Sequence, residues 1–171
     1  MNKILFNNWW FRHLRLHAGA SVRARKALAL LNHRVYKEKN MAQTISEKIL
    51  SRHAGKPVKA GDIAIVHVDG VMATDATAPF AIKAFRQMGG KKLWDVERVS
   101  LIIDHASPAP NETVANLHKL MRDFSAEMGC RLYDIGEGIC HQLMVENAHV
   151  KPGDLFLGAD SHTPTYGALN A

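Results

Sequence analysis

The sequence predicts an α/β fold of three layers, in which helices cover both faces of a mostly parallel sheet. Two observations lead to this prediction: strand patterns alternate with helix patterns along the chain, and the strand patterns are continuously apolar. Continuously apolar strands are buried on both faces, as they are in parallel sheets covered by helices. The length of 171 residues suits about one domain.

The first elements follow from position 44 onward. Thr44 and Glu47 have the spacing of a capping box, which predicts a helix over residues 44–54. The apolar run Ile63–Val68 predicts a buried strand. A helical pattern over residues 78–88 comes next and ends at two glycines.

The second half of the chain continues the alternation. Residues 99–103 predict another strand, and Asn111 or Thr113 can cap a long helix that reaches about Met128. Three shorter elements complete the pattern: a strand over 131–134, a helix over 140–147 and a strand over 154–158.

The net charge of +6 is a local property of the N-terminal segment. Residues 1–40 hold nine lysines and arginines and one acidic residue, whereas residues 41–171 hold thirteen basic and fifteen acidic side chains. The body of the chain therefore does not have the charge of a nucleic-acid-binding domain.

We expect residues 1–40 to be a basic extension outside the fold and residues 41–171 to form the folded domain. Three interpretations of the extension remain open. Met41 can be the true start, which would leave the preceding stretch without a selected role. The extension can also be an Arg-rich targeting peptide, or a basic and aromatic arm that binds nucleic acid or a membrane surface.

Composition sets further limits. No apolar run reaches the roughly 18 residues that a membrane-spanning helix needs, so no membrane partner is predicted. Two cysteines, Cys130 and Cys140, cannot form a disulfide framework, which indicates a reducing, cytoplasmic compartment. Their spacing matches no zinc motif, and we expect both to be small buried apolar residues.

Polar side chains follow every predicted strand, where parallel α/β sheets bind their ligands. Asp69 and Asp75 follow the first predicted strand, and side chains with hydroxyl or acid–base groups follow the other predicted strands. A carboxylate beside a histidine raises its pKa and fixes its tautomer, which produces a proton donor or acceptor near neutral pH. The candidate acid–base residues are Asp104, His105, His141, Asp160 and His162.

Other interpretations of these residues stay open. A lone Asp–His pair is commonly structural, and we assign no metal ligand. His105, His141 and His162 can nevertheless bind zinc or iron as in a metal-dependent hydrolase, although no His-x-His or H-E-x-x-H spacing is present. A non-catalytic binding module is a further possibility. We expect His67 in the core, and His53, His118 and His149 at the surface.

Four ordered segments resemble the aconitase superfamily. They are Asp69–Ala78, Asp104–His105, Gly136–Gln142 and Gly158–Thr165. Within the superfamily these segments look most like the separate large subunits of 3-isopropylmalate dehydratases and homoaconitases, over about residues 44–171. The resemblance implies an incomplete, N-terminal part of the aconitase-type large-subunit domain.

The activity implied by the resemblance is that of a hydro-lyase, which eliminates and re-adds water on a hydroxy di- or tricarboxylic acid. 3-Isopropylmalate in leucine biosynthesis is the expected substrate, with homoaconitase or aconitase chemistry as the alternative. Asp104 and His105 would then help the hydroxyl to leave, and His141, Asp160 and His162 would hydrogen-bond the water and substrate. Thr74 and Ser161 would contact the substrate.

The resemblance also implies a [4Fe–4S] cluster and a small, swivelling partner subunit. The family holds its cluster with three cysteines beyond the last of these segments, and neither Cys130 nor Cys140 matches a ligand position. We therefore expect a truncated large subunit that is inactive alone and that exposes apolar surface, which lowers its solubility.

Overall fold

The computed structural model describes residues 43–171, and the predictions for residues 1–40 fall outside this range. Helices and strands alternate through the described part. In chain order they are α1 (Ile45–Ala54), β1 (Gly70–Thr74), α2 (Ala78–Gln87), β2 (Val99–Ile102), α3 (Glu112–Met128), β3 (Arg131–Tyr133), α4 (Cys140–Glu146) and β4 (Phe156–Gly158). Short 3₁₀ helices span Val96–Arg98 and Thr163–Leu169.

The four strands form one parallel sheet in the order β3-β2-β1-β4. Alternate side chains of β1 and β2 point to opposite faces of the sheet and enter two separate cores. Ala73 and Leu101 pack on one face beneath α2 and α3, whereas Met72 and Ile102 pack on the other beneath α4 and Tyr166. The three-layer α/β prediction is therefore confirmed.

Local signals locate the helix ends well. Thr44 caps α1 through the predicted capping box, and Gly55 ends it in the left-handed conformation that glycine adopts without steric cost. Asn111 caps α3 by accepting a hydrogen bond from the Val114 N–H. Within residues 43–171, no helix is long and apolar enough to cross a bilayer.

The predicted strand over Ile63–Val68 is wrong. That segment has no regular secondary structure, and the Ile63 and Ile65 side chains are 96% and 93% exposed. The strand instead begins at Gly70, where the backbone gains β2 on one side and β4 on the other. Intrinsic strand propensity favoured the run of isoleucine and valine, but pairing with neighbouring strands decides which segment joins a sheet.

Candidate functional site

The loops that follow the strands meet at the carboxyl edge of the sheet. Asp75 comes directly after β1, and Asp104 and His105 come after β2. His141 lies in the first turn of α4, which follows β3, and Asp160 begins the loop after β4. His162 follows Asp160 in the same loop. The structure thus brings together the five side chains that the sequence nominates as acid–base groups, which are Asp104, His105, His141, Asp160 and His162. Their catalytic roles remain a prediction.

The Asp160 carboxylate is the centre of this cluster. Its Oδ1 lies 2.7 Å from His141 Nε2 and 3.5 Å from His162 Nδ1, and its Oδ2 lies 3.2 Å from His105 Nε2. The backbone N–H of His162 also donates to Oδ1 over 2.8 Å. Three imidazoles, from the loop after β2, the first turn of α4 and the loop after β4, therefore converge on one carboxylate.

Asp104 orients the histidine beside it. Its Oδ1 lies 2.7 Å from His105 Nδ1, and its Oδ2 accepts a hydrogen bond from the Cys140 N–H over 2.7 Å. The carboxylate is 7% exposed, whereas the His105 ring is 41% exposed. The Asp104 side chain therefore fixes the ring through Nδ1 and leaves Nε2 to face Asp160.

A buried tyrosine contacts the ring nitrogen of His141 that does not face Asp160. The Tyr166 hydroxyl lies 3.1 Å from His141 Nδ1, and the two rings meet edge to face with centroids 5.5 Å apart. Burial raises the pKa of the Tyr166 hydroxyl above its usual range, so the group stays protonated. This contact fixes the His141 ring so that Nε2 points at Asp160.

Asp160 is held in its charged form, and Asp104 favours the protonated form of His105. The His162 backbone N–H, followed by His141 and His105, lowers the pKa of Asp160 to about 2 against the opposing effect of burial. The hydrogen bond from Asp104 raises the pKa of His105 above its ordinary value. A raised pKa increases the fraction of His105 that is protonated near neutral pH.

The two nominated substrate-binding residues occupy different environments. Ser161 is exposed beside His162, and its hydroxyl lies 3.3 Å from His162 Nδ1. Thr74 is completely buried, and its hydroxyl lies 3.4 Å from the Thr77 hydroxyl. Ser161 can reach a ligand in this structure, whereas Thr74 is covered, and both roles stay predictions.

The sequence did not predict the contact between Asp75 and His118. Asp75 is buried under the loop that carries Asp104 and His105, and His118 of α3 lies against it with Nε2 3.4 Å from Asp75 Oδ2. The prediction of a surface position for His118 is wrong, since only 1% of this residue is exposed. No local pattern could reveal it, because its partner lies 43 residues away in the sequence.

The predictions for His67 and His53 are also wrong. His67 is exposed, because the strand that was to bury it does not form. His53 is buried against Asp69, and His149 is partly buried with Nε2 2.6 Å from the Tyr133 hydroxyl. Asp69 precedes β1 and therefore lies at the amino edge of the sheet, away from the cluster.

The cysteines of this chain do not fit an iron–sulfur cluster. Cys130 and Cys140 are both buried and free, and they belong to the two cores on opposite faces of the sheet. Burial, assisted by Asp104, raises the pKa of the Cys140 thiol to about 12, which disfavours the thiolate that binds iron. Cluster binding needs three or four thiolates, so these two residues behave as the small apolar residues that the sequence predicts.

Two groups of side chains around Asp104 and Asp160 could hold a metal ion. Within each group, the potential ligand atoms all lie within 4.8 Å of one another. One group is Asp104, His105 and Cys140, and the other is His141, Asp160 and His162. The protonated thiol makes the first group a poor site. In the second group, Asp160 Oδ1 accepts a hydrogen bond from the His162 backbone N–H and lies 2.7 Å from His141 Nε2.

Comparison with known proteins identifies the family. A model of the Aconitase family (aconitate hydratase) matches residues 47–171, which include every residue of the cluster. The chain belongs to the aconitase family. The aconitase-family match also begins within α1 and therefore covers almost all of the described fold.

Curated relatives refine this comparison. The chain is 50% identical over 131 residues to the 3-isopropylmalate dehydratase large subunit 1 of Thermotoga maritima, an alignment that covers 77% of this chain and 31% of the relative. It is 51% identical over 133 residues to the large subunit 1 of the same name from Archaeoglobus fulgidus, with 77% and 32% covered. The homoaconitase large subunit of Thermus thermophilus is 42% identical over 131 residues, with 77% and 31% covered.

The chain therefore spans about a third of the length of the curated relatives that it matches. The part that matches the family model, residues 47–171, contains the loops with Asp104, His105, His141, Asp160 and His162. The acid–base cluster therefore lies within the part of this chain that matches the family.

Proposed function

We propose that this chain supplies the acid–base half of a hydro-lyase active site that acts on a hydroxy di- or tricarboxylic acid. The most specific form of the proposal is the large subunit of 3-isopropylmalate dehydratase in leucine biosynthesis. The observation that carries it is the convergence of three imidazoles on Asp160, in a chain of the aconitase family whose curated relatives carry that name.

His105 is the proposed proton donor to the departing hydroxyl. Elimination of water requires the hydroxyl oxygen to take up a proton as its bond to carbon breaks, and a cationic imidazole can give that proton. Asp104 raises the pKa of His105 and orients its ring, while Nε2 faces Asp160. Asp104 then stabilises the Asp104–His105 ion pair and does not itself transfer a proton.

His141, Asp160 and His162 are proposed to bind the water and substrate oxygens around that step. Asp160 remains ionised over the physiological pH range and fixes the orientation of both rings. The exposed Ser161 hydroxyl is proposed to hydrogen-bond a substrate carboxylate. Thr74 is also proposed as a substrate contact, which requires that the site open further than in the described structure.

The proposal includes partners that this chain does not supply. Complete aconitase-family dehydratases generally use a [4Fe–4S] cluster, and the thiolates for it would have to come from outside Cys130 and Cys140. The name "large subunit" among the relatives supports a small-subunit partner. We also propose a cytoplasmic location, supported by two free cysteines and no described disulfide.

Two alternatives are kept. Homoaconitase or aconitase chemistry is supported by the homoaconitase large subunit among the relatives, and it differs only in the substrate. A metal-dependent hydrolase is supported by the close ligand atoms of His141, Asp160 and His162. Titration of the 171-residue chain with Zn²⁺ in a calorimeter tests the second alternative, and tight binding together with hydrolytic turnover would favour it.

The direct test is a chimera. Residues 47–171 replace the aligned part of the Thermotoga maritima large subunit, and the chimera is co-expressed with the small subunit of that organism. We expect dehydration of 3-isopropylmalate, and we expect His105→Gln in the chimera to lower kcat by about 100-fold or more, as loss of a general acid does. The unmodified Thermotoga protein and its equivalent histidine variant are the matched controls.

Two results would contradict the proposal. One is a folded chimera with a loaded cluster and small subunit that converts none of these hydroxy acids. The other concerns the chain by itself, which we expect to show no visible cluster absorbance after incubation with iron and sulfide. A stable cluster on Cys130 and Cys140 would contradict the proposal that other cysteines bind the iron–sulfur cluster.

A further inference from the structure

Asp75 makes an unusual set of contacts with the loop that carries the nominated acid. Its carboxylate accepts hydrogen bonds from three successive backbone N–H groups, those of Asp104 at 3.3 Å, His105 at 3.0 Å and Ala106 at 2.8 Å. These groups leave the end of β2, where the sheet no longer provides partners. Asp75 therefore satisfies three donors that would otherwise be left without strand partners.

The other side of Asp75 faces the interior. His118 of α3 is 1% exposed, and its Nε2 lies 3.4 Å from Asp75 Oδ2. Burial alone would raise the pKa of Asp75, but the N–H groups of Ala106, His105 and Asp104 hold that pKa below its ordinary value. A charged carboxylate thus lies between a core histidine and the site loop.

The backbone of Asp75 connects β1 and β2. Its N–H donates to the carbonyl of Ile102 over 2.9 Å, which continues the β1–β2 ladder by one bond. Its position is therefore fixed by the sheet, while its side chain fixes the loop. Asp75 Oδ1 also lies 3.8 Å from His105 Nδ1, on the side of the ring that Asp104 holds.

We propose that Asp75 is a positioning residue, which clamps residues 104–106 so that Asp104 and His105 keep the geometry needed to face Asp160. The inference rests on the proposed function, because it is the role of His105 as a proton donor that gives this geometry its consequence. Asp75 acts through the backbone of the loop and touches no substrate.

The chain contains a matched control for this role. Asp69 lies directly before β1, as Asp75 lies directly after it, and it also contacts a histidine, His53, and a backbone N–H, that of Leu155 at 2.8 Å. Both carboxylates have lowered pKa values despite burial. They differ in that Asp69 lies at the opposite edge of the sheet from His105.

The experiment compares Asp75→Asn and Asp69→Asn in the full 171-residue chain by NMR. The amide of asparagine can accept through one oxygen only, so at least one of the three loop hydrogen bonds is lost. We expect amide hydrogen exchange of Asp104, His105 and Ala106 to speed up by about tenfold or more in Asp75→Asn. We also expect the ¹⁵N signal of His105 Nδ1 to move as its bond to Asp104 loosens.

Asp69→Asn should lower stability without changing either signal. The proposal is overturned if Asp75→Asn loses stability while the His105 ring signal stays that of the wild type, or if Asp69→Asn moves that signal equally. Should Asp75→Asn fail to fold, exchange in the wild-type chain decides: protection of the three loop amides well above that of Ser161 supports the clamp, and equal exchange overturns it. None of these readouts requires turnover, so inactivity of the chimera would reject the proposed function alone.

Discussion

At the scale of single residues, the site is organised by where carboxylates are placed relative to imidazoles. Asp160 is 9% exposed and faces three histidines, so it remains charged because those groups and a backbone N–H offset its burial. Asp104 plays the corresponding part for His105 alone. The same residue types, spread over the surface, would titrate near their ordinary pKa values.

The substitution Asp104→Asn tests the contact between Asp104 and His105. The raised pKa of His105 contributes stability that is fully present below the unfolded value of 6.5 and is lost as the pH rises through the folded value. Without the carboxylate, we expect the pKa of His105 to fall and this pH dependence to flatten. Because the ring is 41% exposed, the change in unfolding free energy should stay below about 1 kcal/mol.

NMR titration of His105 measures the pKa, and urea unfolding at about pH 5.5 and about pH 8.5 measures the free energy. Asp123→Asn is the control, since Asp123 pairs with Lys119 on the exposed side of α3. An unchanged His105 pKa in Asp104→Asn would contradict the assignment of Asp104 as the main cause.

Arg122→Ala tests a second charge pair. The Nε and Nη2 atoms of Arg122 each lie 2.6 Å from the Asp134 carboxylate, and these hydrogen bonds lower the pKa of Asp134 to about 2. That lowered pKa contributes stability above the unfolded value of 3.8, which is lost as the pH falls through the folded value. Since both side chains are more than a third exposed, we expect a loss of only about 0.5–1 kcal/mol at neutral pH.

The loss of unfolding free energy in Arg122→Ala should disappear below about pH 2, where Asp134 is protonated in both the wild type and the variant. Urea unfolding across this range measures it. Lys119→Ala removes a single exposed pair on the same helix and should change the free energy by a few tenths of a kcal/mol, roughly as such pairs do. A loss that persists undiminished at acid pH would show that packing of the Arg122 stem, not charge, is responsible.

At the scale of elements, the loop after β4 owes its path to a glycine. A Cβ at Gly158 would overlap Thr163, whose hydroxyl donates to the Asp160 carbonyl over 2.8 Å. The close approach of these two positions turns the chain sharply, which places Asp160 and His162 over the end of the sheet. The absence of a side chain at Gly158 is thus part of the site.

Gly158→Ala should destabilise the fold by about 1–3 kcal/mol, because the added methyl forces Thr163 to move. It should also shift the NMR signals of His141 and His162. Gly167→Ala is the control within the following 3₁₀ helix, where nothing lies within 4 Å of an added Cβ. Equal effects of the two variants in unfolding measurements would contradict this account.

At the scale of the whole molecule, the described domain exposes several large apolar side chains. Ile63 and Ile65 are almost fully exposed, and Phe80 and Leu157 are 74% and 53% exposed. Exposed apolar residues with strand propensity promote association between chains. All four positions lie within the part that matches the aconitase family.

Replacement of Ile63 and Ile65 by lysine should raise the soluble yield and lower light scattering of the purified chain. The unfolding midpoint should stay close to that of the wild type, because neither side chain is buried in the fold. Ile102→Lys is the contrasting variant and should prevent folding, since that residue is completely buried. Unchanged aggregation of the double variant would place the cause elsewhere on the surface.

Much of this protein is determined by local signals. The capping box at Thr44, the cap at Asn111 and the apolar periodicity located all four helices to within one or two residues. The polar residues after the strands nominated the cluster, because parallel strands bring their carboxyl ends to one edge. Family resemblance then supplied the expectation of hydro-lyase chemistry.

Tertiary structure decided what depends on partners distant in sequence. Gly70–Thr74 became a strand and Ile63–Val68 did not, since hydrogen bonds to β2 and β4 outweigh intrinsic propensity. Asp75 and His118 meet only when the sheet and α3 pack together. Local sequence fixes which backbone shapes are favourable, whereas burial of a charge depends on every group that surrounds it, and those groups come from the whole chain.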